Sequence, residues 1–175
     1  QKLLGDALWV TPKQAAFNRQ SEHSVDYYDL ERLLKAVKMP NRQKLERLRA
    51  LYRGPFLAEV EEVNSPDFIR WRQQQRSLLH ERVIEELHLL SEHFLDNRDF
   101  ALGFKSTQWW LTLQPGDESA HRLRMLLFWR NGQRSAALLQ YNICKDHLQL
   151  HHGLEPSLET RQLCLQIQKE DVPLA

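Results

Sequence analysis

The sequence predicts an all-α chain, a tetratricopeptide-like array of helical hairpins with a front helical bundle and a short N-terminal β-hairpin. Long runs with apolar residues at helical spacing are punctuated by only 6 glycines and 7 prolines in 175 residues, enough chain to bury one substantial core. The stops between the runs are of the kinds that begin and end helices, as at Gln114-Pro115-Gly116-Asp117-Glu118 and Asn131-Gly132-Gln133. The pattern also repeats 34 residues apart: Phe128 falls on Phe94, Gln133 on Asp99, Ala137 on Gly103, Tyr141 on Thr107 and Cys144 on Trp110. That period belongs to tetratricopeptide hairpins. Such hairpins need a small residue where two helices cross closely, aromatics beside it and a proline after the second helix. Gly103, Ala137, Phe94, Phe128 and Pro115 meet those demands.

From the N-terminus, Ala7-Leu8-Trp9-Val10 and Gln14-Ala15-Ala16-Phe17 are strand-like runs around Thr11-Pro12-Lys13, which predicts a hairpin. A lone hairpin is barely stable, so it must pack on the helices or belong to a domain that has been cut away. After a polar linker, Asn18 to Ser24, Asp26 starts a helix running through Val37. Met39-Pro40-Asn41 stops it, and Asn41 is expected to cap the next helix, which ends before Gly54-Pro55. Ser65-Pro66-Asp67 is a start signal: serine caps, proline suits the first turn, and aspartate complements the helix dipole. No glycine or proline follows until Gly103. Phe68, Trp71, Leu78, Val83, Leu87, Leu90 and Phe94 recur at helical spacing, so one long helix is expected to reach Leu95.

Helices over 98–113, 118–131, 134–151 and 158–169 complete a set of seven. Pro115 cannot continue a helix, Asp117 can accept the free first-turn amides of the next, and Glu118 sits at the positive end of its dipole. Gly132 and Gly153 each follow an apolar run, where a residue without Cβ takes the left-handed conformation that closes a helix. Gly153-Leu154-Glu155-Pro156 then separates the last two helices.

The 24 basic and 23 acidic side chains nearly cancel, so the chain carries no overall electrostatic footprint for nucleic acid or an anionic membrane. No apolar run approaches the roughly 20 residues that span a bilayer, and no basic-then-apolar secretion signal opens the chain. A soluble, cytosolic protein is expected. Arg42, Lys44, Arg47, Arg49 and Arg53, and then Arg70, Arg72, Arg76 and Arg82, are interleaved with Glu46, Glu81, Glu85 and Glu86. Pairing along helix surfaces accounts for most of them. Cys144 and Cys164 read as reduced core thiols, lacking metal spacing.

Enzyme chemistry finds no support. Glu85/His88 and Glu118/His121 are Glu-x-x-His pairs of the kind used in di-iron bundles, but 100–116 contains no Asp or Glu to complete such a site. His147 and His151 could hold one metal edge without an evident third ligand. No phosphate-cradling loop or nucleophile elbow is present. No catalytic, metal or cofactor residue is therefore assigned. Trp109, Trp110 and Trp129 are candidate protein contacts, because Trp is enriched in binding hot spots. Adjacent residues point about 100° apart on a helix, so one of Trp109 and Trp110 should be buried and the other is the candidate contact.

The ordered string Pro115, Glu118, His121-Arg122, Met125, Gly132-Gln133-Arg134, Ala136-Ala137-Leu138, Tyr141, Leu148, Gly153-Leu154-Glu155-Pro156 and Glu159-Thr160 resembles the bacterial transcriptional activator domain of SARP-type regulators. Leu51-Tyr52-Arg53-Gly54-Pro55-Phe56-Leu57 and Phe68, Trp71 and Arg76 look like its earlier segments. Arg124 departs from the pattern, standing where an apolar residue is usual, as does His151-His152. The resemblance implies a helical regulatory domain over 25–170. Its structural repeat positions, read from the 34-residue period and the helix stops, are Phe94, Gly103, Pro115, Phe128, Gly132, Ala137, Tyr141, Gly153 and Pro156. The resemblance also implies a preceding winged-helix domain that supplies DNA binding and ends in a β-hairpin, of which residues 1–24 would be the remnant. The start at Gln1, without an initiator Met, is read as that of an excised piece. Expected partners are other domains of the same regulator, a second protomer or the transcription machinery, with no membrane. The alternative is a free-standing tetratricopeptide-type adaptor unrelated to transcription.

Overall fold

The computed structural model describes residues 8–10, 15–17, 26–36, 38–58 and 65–169. Two short strands, β1 (Leu8–Val10) and β2 (Ala15–Phe17), pair antiparallel with Leu8 opposite Phe17. The expected turn at Thr11-Pro12-Lys13 and the linker from Asn18 to Ser24 lie outside the described residues. Seven helices follow among the described residues: α1 (Asp26–Leu34), α2 (Asn41–Leu51), α3 (Pro66–Asp96), α4 (Phe100–Leu113), α5 (Glu118–Arg130), α6 (Arg134–His152) and α7 (Leu158–Lys169).

Several helix ends differ from the sequence expectation. α1 closes at Leu34, where the Ala36 amide turns back to the Leu33 carbonyl at 3.0 Å; Val37 lies outside the described residues. Asn41 does not cap α2. Pro40 takes the cap position, its carbonyl accepting from the Lys44 amide at 2.9 Å, and Asn41 is already helical. Ser65 holds the cap position of α3, yet its hydroxyl makes no capping bond; Asp67 instead pairs with Arg70 at 2.5 Å.

The front of the molecule packs α1 and α2 on the N-terminal half of α3, burying Leu30, Leu33, Leu45, Leu48, Tyr52, Leu79 and Val83. Lys44, read from sequence as a surface cation, is buried here against Glu86 at 2.7 Å, since the face of α2 that carries Leu45 and Leu48 carries Lys44 as well. Arg82 of α3 pairs with Glu31 of α1. Arg76 donates to the Phe56 and Leu57 carbonyls at 2.7 and 2.8 Å, fastening the turn after α2 to α3.

Behind this front, α3 with α4 and α5 with α6 form two antiparallel hairpins whose turns repeat bond for bond. The Asp99 amide donates to the Phe94 carbonyl at 2.8 Å, and 34 residues later the Gln133 amide donates to the Phe128 carbonyl at 2.8 Å. Asn97 to His93 likewise repeats as Asn131 to Leu127. The residue at the bend is left-handed in both, Arg98 with φ 56° and Gly132 with φ 74°. The same six-residue closure therefore reverses the chain twice. The hairpins meet where α4 crosses α5: a Cβ on Gly103 would stand 2.5 Å from Leu127 Cδ2. A second core beneath α5, α6 and α7 contains Met125, Trp129, Ala137, Cys164 and Ile167.

α7 is fastened by polar contacts to both ends of the second hairpin. Glu118 accepts from the Ser157 amide at 2.9 Å and hydroxyl at 2.8 Å, and Arg122 donates to Thr160 at 3.0 Å. Burial opposes ionisation of Glu118, but hydrogen bonds from Thr160 and Ser157 outweigh it and hold the carboxyl below its usual range. Arg134 donates to the carbonyls of Ile167, at 2.8 Å, and Gln168.

Candidate protein-interaction surface

Side chains of α5 face three ways: toward α4, toward α6 and α7, and into a groove between α4 and α6. Of the repeat positions, Phe128 and Pro115 line the groove, and the others lie in the packing between helices or at their ends. Phe94 and Ala137 are buried, and Gly103 gives α5 its close approach. Tyr141 is half-buried against the second core, while Pro156 is enclosed between α6 and α7. Gly153 closes α6 with φ 64°, and Pro115 lies exposed in the turn before α5.

Two of the three candidate tryptophans leave the surface. Trp110 is 1% exposed and Trp129 2% exposed, so neither can be touched by a partner while the fold is intact. The Trp110 indole donates to Asp117 Oδ2 at 3.0 Å, while Asp117 Oδ1 accepts from the Ser119 and Ala120 amides. One carboxylate thus caps α5 and anchors the end of α4. Trp129 belongs to the second core, toward which α5 turns its far end. Trp109, about 100° round the helix from Trp110, is half-buried against the main core and keeps part of its ring in solvent.

The groove between α4 and α6 is the more developed surface. Its volume is about 410 Å³, and its walls include Leu111 of α4 and Leu139 and Ile143 of α6. Leu139 is 60% exposed and Ile143 48% exposed, a large apolar display for two adjacent turns of one helix. The floor is Arg124 and Phe128 of α5. Arg124 Nη1 donates to the Phe104 carbonyl at 3.0 Å and to Thr107 Oγ1 at 3.2 Å. Its guanidinium lies 5.6 Å from the Phe104 ring centre and 5.4 Å from that of Phe128. Those rings are tilted 40° to each other with centres 4.6 Å apart. Burial lowers the pKa of Arg124, but an arginine remains charged at neutral pH.

At the end of the groove near the α4–α5 turn, His121 places Nε2 2.9 Å from the Pro115 carbonyl and Nδ1 2.6 Å from the Gln140 side-chain nitrogen. A carbonyl can only accept, so Nε2 carries the proton and Nδ1 receives the amide N–H. That neutral tautomer agrees with a pKa lowered chiefly by burial. His147, His151 and His152 gather beside Gly116, the first two with ring centres 4.4 Å apart. Among the described residues no group of three His, Cys, Asp or Glu side chains is arranged to hold a metal ion. The Glu-x-x-His pairs are spent elsewhere: Glu118 on Ser157, His121 on Pro115 and Gln140, and His88 on Glu92.

Sequence reasoning passed over Leu139, Ile143 and Arg124 as contact residues. The signal was present for the first two. α6 buries Ala137, Gln140, Cys144 and Leu148, so Leu139, Ile143 and Leu150 form a second apolar stripe that the hairpin does not consume.

Among the described residues, no helix is long and apolar enough to cross a membrane. The pattern of the bacterial transcriptional activator domain family matches residues 19–168. No curated protein matches the chain.

Proposed function

This chain belongs to the bacterial transcriptional activator domain family, and from that premise we propose that it is the regulatory, protein-binding domain of a DNA-binding activator. The family is one of regulators, so a role in bacterial transcriptional activation holds at that general level. The finer reading is that α3 to α7 form a rigid scaffold that supports activation or self-association by holding a partner against the α4–α6 face. The observation that carries it is the pair of exposed apolar side chains, Leu139 and Ile143, beside a groove that the described residues leave unfilled. DNA recognition would come from an upstream winged-helix domain in the same regulator, with β1 and β2 as its closing hairpin. The near balance of 24 basic and 23 acidic side chains supports that division of labour. An adaptor unrelated to transcription is the second reading, and the family assignment disfavours it.

The test is transcription from a reporter by the regulator carrying Trp109→Ala or Leu139→Asp. Both variants should keep the helical circular dichroism of the parent and lose activation. Full activation by both, with intact folds, would refute the interaction reading. Residues 1–175 alone should bind duplex DNA weakly and without sequence preference, and a sequence-selective, salt-resistant complex would refute the division of labour.

A further inference from the structure

We propose that the α4–α6 groove receives a peptide segment of a partner protein that presents a carboxylate between apolar side chains. This rests on the interaction reading above and specifies the chemistry of the partner. Arg124 sits at the centre of the floor, half-buried, one edge of its guanidinium committed to Phe104 and Thr107 and its face to two aromatic rings. Its other edge, Nε and Nη2, has no acceptor among the described residues, and no carboxylate there pairs with it. Among the described residues, no Asp or Glu lines the groove. A partly desolvated guanidinium held in one orientation and lacking a counter-charge is suited to a carboxylate, which takes the free edge through two parallel N–H···O bonds.

The walls indicate a peptide rather than a small acid. Ala136, Leu139, Ile143 and His147 follow one another along one side of α6. The distance from Ala136 to His147 is about 16 Å at the helical rise, which matches four or five residues of extended chain at about 3.3 to 3.6 Å each. A lone carboxylate would reach Arg124 and leave that apolar wall in water. A segment with apolar side chains on both sides of an acidic one covers Leu139 and Ile143 while its carboxylate meets Arg124, so charge and apolar area are satisfied by one occupant.

The experiment is a titration of isotope-labelled residues 1–175 with an octapeptide library alternating Leu, Ile or Phe with Asp or Glu, followed by amide chemical shifts. A second library carries Asn and Gln in place of the acids. The acidic library should shift Leu139, Gln140 and Ile143 saturably. Arg124→Gln should weaken the response at least about tenfold, the loss of one charge-assisted pairing of roughly 1.4 kcal/mol or more. Leu139→Asp provides a variant at an exposed position, and it should weaken binding by repelling the acids. The proposal is overturned by absence of groove shifts at millimolar peptide, by an equal response to the amide library, or by undiminished binding to a folded Arg124→Gln chain. Sodium acetate matching the peptides in affinity would make this a small-anion site, and groove shifts on simple dilution of the chain would make the occupant a second copy; either result also overturns it. If peptides fail while Leu139→Asp still abolishes reporter activation, the acidic segment is refuted and the interaction reading stands. If Leu139→Asp and Trp109→Ala both activate normally with intact folds, both fall.

Discussion

Replacing Gly103 with alanine sets two effects of opposite sign against each other at the α4–α5 crossing. Alanine within a helix is favoured over glycine by about 1 kcal/mol. Against that gain, the new Cβ would stand 2.5 Å from Leu127 Cδ2 and 3.1 Å from Cδ1, where carbon atoms prefer roughly 3.5 to 4.0 Å. Leu127 is fully buried, so its methyls cannot swing into solvent. Either Leu127 leaves its rotamer inside a packed core or α5 moves off α4, and overpacking of this kind costs about 1 to 3 kcal/mol. The clash therefore outweighs the propensity gain, for a net loss of up to about 2 kcal/mol. In a domain of this size that lowers the melting temperature by up to about 8 °C. Gly103→Leu, with a similar propensity and more bulk, should lose more. The discriminating assay is thermal and urea unfolding in a Leu127→Ala background, itself less stable by about 2 to 5 kcal/mol. With the methyls gone, Gly103→Ala should become stabilising by about 1 kcal/mol. An equal effect in both backgrounds, or stabilisation in the parent, would refute the close approach as the reason for glycine here.

Glu86→Ala should destabilise by about 3 to 5 kcal/mol, because it strands the buried Lys44 ammonium, whereas Lys44→Met with Glu86→Leu should unfold in urea close to the parent. The carboxyl of Glu118 titrates below its ordinary value in the folded chain. Its contribution is therefore complete above the unfolded pKa of about 4.3 and lost as pH falls through the folded value. Glu118→Gln should accordingly flatten the fall of melting temperature with pH below about 4.3. Burial pushes the Cys144 thiol up to about 12, so its alkylation at neutral pH should proceed only as fast as the chain opens, and rapid labelling under native conditions would show that α6 leaves it accessible.

Much of the helical framework was legible because helix ends are local chemistry. Asp117 accepts the first-turn amides of α5, and Gly132 and Gly153 have the positive φ that a residue without Cβ adopts freely. The weaker ends were those where the cap depends on backbone rather than side chain. Asn41 and Ser65 are both good capping residues in isolation, yet Pro40 takes the cap of α2 and the Ser65 hydroxyl makes no cap bond. Arg98 was invisible for the opposite reason, since it adopts a left-handed φ of 56° that its residue type does not announce.

The sequence by itself determined the helical class, the 34-residue spacing of the two hairpins and the regulatory family, because periodicity, turn residues and ordered motifs are properties of neighbours along the chain. Only the tertiary structure decided which of two adjacent tryptophans enters the core: Trp110 does so because Asp117 accepts from its indole and His88 of α3 packs on its ring at 5.2 Å. It also decided that Lys44 is an interior charge, through Glu86 on another helix. Arg124 became the floor of a groove, and Leu139 and Ile143 its wall, only when α4 and α6 came to flank α5. Burial and pairing depend on which distant surfaces meet, and the residues on either side of a position do not encode that meeting.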